Sequence, residues 1–116
     1  MEITNATTSF AALSQETRLK AFKLLVSQEP DGLPAGDIAR QLGVPHNTMS
    51  AHLSVLARAG WVVSQRHSRQ IIYRASLSHM DTVVQFLLQD CCAGNQALCA
   101  SVISNLQACS VDETCK

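Results

Sequence analysis

Asp37–Gly60, DIARQLGVPHNTMSAHLSVLARAG, holds two short helical patterns that meet at a tight break at Gly43. The first puts Ile38, Ala39 and Leu42 on one face, and Gly43 then supplies the backbone freedom that a helix exit needs. The second turns Met49, Leu53 and Leu56 inward at spacings of four and three. Its outer side carries His46, Asn47, Ser50, His52 and Ser54, which are polar, short and free of acidic charge. A solvated helix face usually carries Glu and Lys, whereas a helix that enters the major groove of DNA needs hydrogen-bonding groups without negative charge. The pattern is a helix-turn-helix. An ordinary polar helix face is the competing reading of this stretch taken alone.

The rest of the composition is compatible with that reading. Over 116 residues the formal net charge is zero, but residues 14 to 74 sum to +4, residues 75 to 116 to −3, and Glu2 supplies the remaining negative charge. The basic part is the part that contains the helix-turn-helix, as a phosphate backbone would select, although unrelated proteins show separations of this size. Aromatic residues make up 4% of the chain, which predicts an aliphatic, mainly helical core. MEITNATTSF at the start has neither a basic lead nor an apolar run, and no segment reaches the length of a membrane span. These features predict a cytoplasmic protein without a membrane partner, its five cysteines kept as thiols.

In chain order, residues 1 to 13 predict a short helix with Phe10 and Leu13 as its apolar contacts. Ser14 is placed to cap a second helix over residues 15 to 28, with Leu19, Phe22, Leu25 and Val26 as its stripe and Arg18, Lys20 and Lys23 as solubilising charges. EPDGLP, residues 29 to 34, is a turn, and Pro34 suits the first position of the next helix. After Gly60, WVVSQR and IIYRA read as two strands joined by HSRQ. Arg66 and Arg69 at this tip suit phosphate or minor-groove contact, with an exposed basic loop as the bland alternative. The expected fold is therefore mainly α with a β-hairpin wing, a winged helix-turn-helix.

Three segments carry a family resemblance: LSQETRLKAFKLL, the stretch from Asp37 through WV, and the wing ending IIYR. Together they resemble the ArsR/SmtB family of dimeric metal-sensing repressors over roughly residues 10 to 92. Thr48, Ser50, His52, Leu53 and Leu56 match that family's T-x-S-x-H-L-x-x-L recognition helix. The match implies operator contacts from Ser50 and His52, with Thr48, Asn47 and His46, and a homodimer on double-stranded DNA. Two departures stand out: Pro45 replaces the usual serine cap, and the wing tip has no glycine.

Beyond the wing, Ser78 is placed to cap HMDTVVQFLLQDCC, whose Met80, Val83, Val84, Leu87, Leu88 and Cys91 form a broad apolar face. A face this apolar on so small a protein has to be covered, which also predicts dimerisation. The expected organisation is a DNA-binding and dimerisation domain over residues 1 to 92, followed by a cysteine-containing helix and tail over 93 to 116.

All five cysteines, Cys91, Cys92, Cys99, Cys109 and Cys115, fall in the last 26 residues. A vicinal pair with a third thiol seven residues on, and no histidine among residues 80 to 116, favours a thiophilic ion over zinc or another metal held by imidazole. A cysteine filling core space remains an alternative for Cys91. In one straight helix Cys92 and Cys99 would lie about 10 Å apart along the axis, so a shared ion needs a break, which Gly94-Asn95 permits, or a thiolate from the partner chain. The family resemblance implies more: this chain looks like arsenic-responsive members with a Cys-Cys pair and a third, later cysteine, so trivalent arsenic (arsenite or methylarsenite) or antimony would be bound by Cys91, Cys92 and Cys99. Cys109 and Cys115 have no assigned role. Thiol redox sensing and a cadmium, lead or mercury response are rival signals on the same fold. A thiol-based arsenic-handling enzyme is the rival of another class. Against the enzyme, no cysteine sits in a phosphate-cradling loop, and no histidine or arginine lies between Cys91 and Cys99 to activate a thiol.

Overall fold

A computed structural model describes residues 1–91 of the chain. The elements run α1 (Ile3–Leu13), α2 (Glu16–Ser27), β1 (Leu33–Pro34), α3 (Ala35–Leu42), α4 (His46–Ala59), β2 (Val62–His67), β3 (Gln70–Ala75) and α5 (Leu77–Cys91). Met1–Val83 forms one compact unit, and α5 passes at Val84 into a second. The expected helix and tail over 93 to 116 lie outside the described residues. No helix of the described residues is long and apolar enough to cross a membrane.

The inward residues of the helix-turn-helix make the centre of the core. Ile38, Met49, Leu53 and Leu56 are fully buried, with Leu25 of α2 beside them. Burying each contributes about 1.5–3 kcal/mol, which is why the spacing of apolar residues decides where these helices lie. Leu42, at the end of α3, is only partly buried and packs on the cluster's rim. Gly43 takes φ +67 with no atom near a would-be Cβ, so it is the backbone angle, not space, that calls for glycine there.

Several expectations change at the edges of this core. The core is not purely aliphatic, because Phe22 and Trp61 are buried in it with ring centroids 5.2 Å apart in an edge contact. Phe10 is 40% exposed, and α1 instead buries Ala6, Ser9 and Ala12. Small residues let α1 approach Trp61 closely enough for its indole Nε1 to donate to Ser9 O at 2.7 Å. Leu19 is exposed as well, and the buried row of α2 is Ala21, Phe22 and Leu25. Ser14 closes α1 by donating to Ala11 O, while Gln15 caps α2 by accepting from the Arg18 N–H at 2.8 Å. Likewise Ser76, not Ser78, accepts from the His79 N–H at the start of α5.

The sheet has order β1-β3-β2, all antiparallel. Its third strand was hidden in the EPDGLP turn: Leu33 pairs with Tyr73 and Pro34 with Ile72, and Pro34 then serves as the residue before the first turn of α3. An edge strand tolerates proline because it needs no N–H on its outer side. The wing turn is tight, with His67 opposite Gln70, and Ser68 takes φ +58 where glycine is commoner.

Candidate nucleic-acid interface

Helix α4 begins at His46 with Pro45 as its capping residue and no side-chain cap. The first turn also lacks an acid. The N–H groups at positions 46 to 48 are therefore left without intrahelical acceptors, at the positive end of the helix, where a phosphate oxygen can receive them.

At about 100° per residue, the direction opposite Met49, Leu53 and Leu56 is occupied by Asn47, Ala51 and Ser54. All three are exposed, as are His46 and Thr48. Ser50 and His52 are about 200° apart around the axis and sit on opposite flanks of that row. Ser50 and His46 line a cleft of about 420 Å³ with Gly36, Arg40, Tyr73 and Arg69 from the wing tip. His52 faces the other way, with Nδ1 3.4 Å from Arg18 Nη1 of α2. The family motif thus marks the two flanks of the helix, and it passes over Ala51, whose outward position only the helical phase reveals. A small apolar side chain there suits the methyl group of thymine.

The two wing arginines separate. Arg69 joins the cleft beside His46 and Ser50, whereas Arg66 Nε donates to Ser68 O and braces the turn. Other basic residues are neutralised locally: Arg40 pairs with Asp37, Lys20 with Glu16, and Arg74 with Glu29 at 2.8 Å. The Glu29 carboxylate holds the Arg74 guanidinium's pKa above its ordinary value through a hydrogen bond and its charge. Of the other arginines and lysines among the described residues, Arg66 and Arg69 lie at the wing tip, Arg18 and Lys23 in α2 and Arg58 in the last turn of α4.

The same helix-turn-helix and wing recur in proteins of known structure. A helix-turn-helix domain family model matches residues 13–65. A search among curated proteins gives no match. Among solved structures, an ArsR-like transcriptional regulator from Rhodococcus sp. RHA1 is 28% identical, with a TM-score of 0.71 over 84% of this chain and 89% of that one. The chain is similar to these ArsR-like transcriptional regulators and shares their winged helix-turn-helix fold. The transcriptional repressor BigR from Xylella fastidiosa is 29% identical, with a TM-score of 0.56 over 72% of this chain and 82% of that one. The homodimeric winged helix-turn-helix DNA-binding domain of Mb0332 from Mycobacterium bovis shares the fold at 23% identity, with a TM-score of 0.61 over 76% and 82%. The helix-turn-helix is a DNA-binding fold, and the solved relatives that share it here are described as transcriptional regulators.

Behind the candidate interface lies a polar node that sequence reasoning missed. His79 of α5 has its Nε2 2.9 Å from Ser9 Oγ, and its ring meets the Trp61 ring edge-on at 4.7 Å. Desolvation lowers the His79 pKa from its ordinary value. Gly60 ends α4 at φ +96, and a Cβ there would lie 2.8 Å from His79 Nδ1. The clue available in sequence was the Ala-Gly-Trp step at 59 to 61, where a helix stop meets the only tryptophan. Of the expected thiol ligands, Cys92 and Cys99 lie outside the described residues, as does the side chain of Cys91.

Proposed function

We propose that this regulator is a homodimeric repressor that holds a two-fold symmetric operator and lets go when trivalent arsenic or antimony binds the thiolates of Cys91, Cys92 and Cys99. The observation that carries this reading is the cysteine distribution: a vicinal pair and a third thiol close by, with every cysteine in the last 26 residues and none in the DNA-reading part. Soft thiolates select a thiophilic ion, and three of them match the coordination of a trivalent metalloid.

Dimerisation is supported by apolar surface on the outer helices. Ile3 of α1 is 71% exposed, and Phe10 and Met80 are exposed as well. A second copy of the chain would cover them, as in the homodimeric mycobacterial relative. Two recognition helices would then meet half-sites about one DNA turn apart. Coupling is reciprocal, so operator DNA weakens arsenite affinity by the factor by which arsenite weakens DNA affinity.

The test is a gel-shift titration with promoter DNA, repeated with arsenite, methylarsenite, antimonite, cadmium and zinc. Trivalent arsenicals or antimonite release the wild-type protein, and zinc does not. Cys91→Ser and Cys92→Ser bind the operator as before but no longer release it. Retained release in both single variants sinks the ligand assignment, and release by peroxide without metalloid would move the signal to thiol oxidation.

A further inference from the structure

We propose that Arg18 is a positioning residue for His52, and that the pair clamps a backbone phosphate of the DNA rather than reading a base. The proposal rests on the DNA-binding reading of α4 and is independent of which inducer acts.

Arg18 is fixed along its length. Its backbone N–H donates to Gln15 Oε1 at 2.8 Å, and its Nε donates to Ala12 O at 2.6 Å. The guanidinium is thereby pinned where α1 passes into α2, with Nη1 presented to His52 Nδ1 at 3.4 Å. A guanidinium has five donors and no acceptor, so in this contact Nδ1 must accept. For Nδ1 to accept, the ring proton must sit on Nε2, so the contact requires the Nε2–H tautomer of His52. His52 is half-buried, and in an imidazole ring Nε2 points away from a partner held at Nδ1. His52 therefore offers DNA a single donor in a fixed direction.

Position decides what receives it. The outward row of α4 is Asn47, Ala51 and Ser54, and that row meets base edges when the helix lies in the major groove. His52 is on the flank that faces α2, where the wall of the groove is sugar and phosphate. A phosphate offers acceptors only, which matches a lone N–H. The Arg18 cation beside the ring adds attraction there, while Glu16, the acid at the start of α2, is engaged by Lys20. Arg18, a solubilising charge by sequence pattern, thus supplies the orientation of a DNA contact 34 residues away in sequence.

Three measurements on the full chain test this. First, long-range proton–nitrogen NMR correlations on the DNA-free protein should show the Nε2–H tautomer at His52 and a mixture in Arg18→Met; an Nδ1–H ring in the wild type overturns the positioning role. Second, fluorescence anisotropy with the chain's own upstream DNA and an unrelated duplex of equal length should show His52→Ala weakening both by the same factor, between about threefold and tenfold. Loss confined to the upstream duplex would make His52 a base reader and overturn the clamp. Third, the slope of log affinity against log salt should stay unchanged in His52→Ala, because a neutral donor releases no counterion, and should become shallower in Arg18→Met. A decrease of about 0.9 per protomer in His52→Ala would mean a cationic ring and refute the tautomer argument. Wild-type protein that binds neither duplex would remove the DNA reading beneath the clamp, while the NMR result still decides the Arg18–His52 contact.

Discussion

Gly60→Ala should be among the most damaging single-methyl additions in this chain, and its cost can be built from the surroundings of Gly60. The residue sits at φ +96, where an L side chain is strained by about 1–2 kcal/mol. The new Cβ would also lie 2.8 Å from Nδ1 and 2.9 Å from Cε1 of His79. That ring cannot swing away freely, because Ser9 Oγ holds Nε2 at 2.9 Å and Trp61 abuts it. Moving it sacrifices a hydrogen bond of about 1 kcal/mol and weakens an edge contact of about 0.5–1.5 kcal/mol. The expected destabilisation is about 2–4 kcal/mol, measured by urea denaturation. In a His79→Ala background only the backbone strain remains, so the same substitution should cost about 1–2 kcal/mol there, leaving a coupling of about 1–2 kcal/mol between the two sites. Equal costs in the two backgrounds would show that His79 is not what demands glycine at position 60, and a cost below about 1 kcal/mol in the wild type would refute the strain as well.

Three further outcomes follow from the same geometry. Because burial lowers the His79 pKa below its ordinary 6.5, the unfolded chain binds more protons than the folded one in that range; stability should be fully present above that value and fall as pH drops below it, and urea midpoints against pH should flatten in His79→Gln. Arg74→Ala removes the partner of Glu29 Oε2 in a carboxylate whose Oε1 is already buried without one, so the melting temperature should fall, and Glu29→Gln in the same chain should recover part of the loss. Arg69→Ala should reduce the salt slope of DNA binding by about 0.9 per protomer and Arg66→Ala by less, since Arg69 lines the cleft with Ser50 whereas Arg66 braces its own turn; equal effects would contradict that division.

Much of the frame was legible in the chain because it follows local rules. The spacing of Ile38, Ala39, Met49, Leu53 and Leu56 defines two helices by burial alone, and each of the five is 4% exposed or less. Gly43 marks their turn, and the β-branched runs on either side of HSRQ give the wing. Helix boundaries were less legible at serines, since Ser14, Ser76 and Ser78 all carry a capping group and only the chain path decides which N–H each meets.

Sequence by itself determined the helix-turn-helix, the wing and the place of every thiol, because these depend on periodicity, turn chemistry and composition. The tertiary structure decided which polar groups act together. Arg18 meets His52, Glu29 meets Arg74, and His79 meets Ser9, all across separations of 34 residues or more, and His79 also meets Trp61; no local pattern encodes these contacts except as a set of unexplained polar residues. It also decided that Phe10 stays outside while Ser9 goes in: α1 can approach Trp61 only through its small residues, so close packing overrides hydrophobicity at that face.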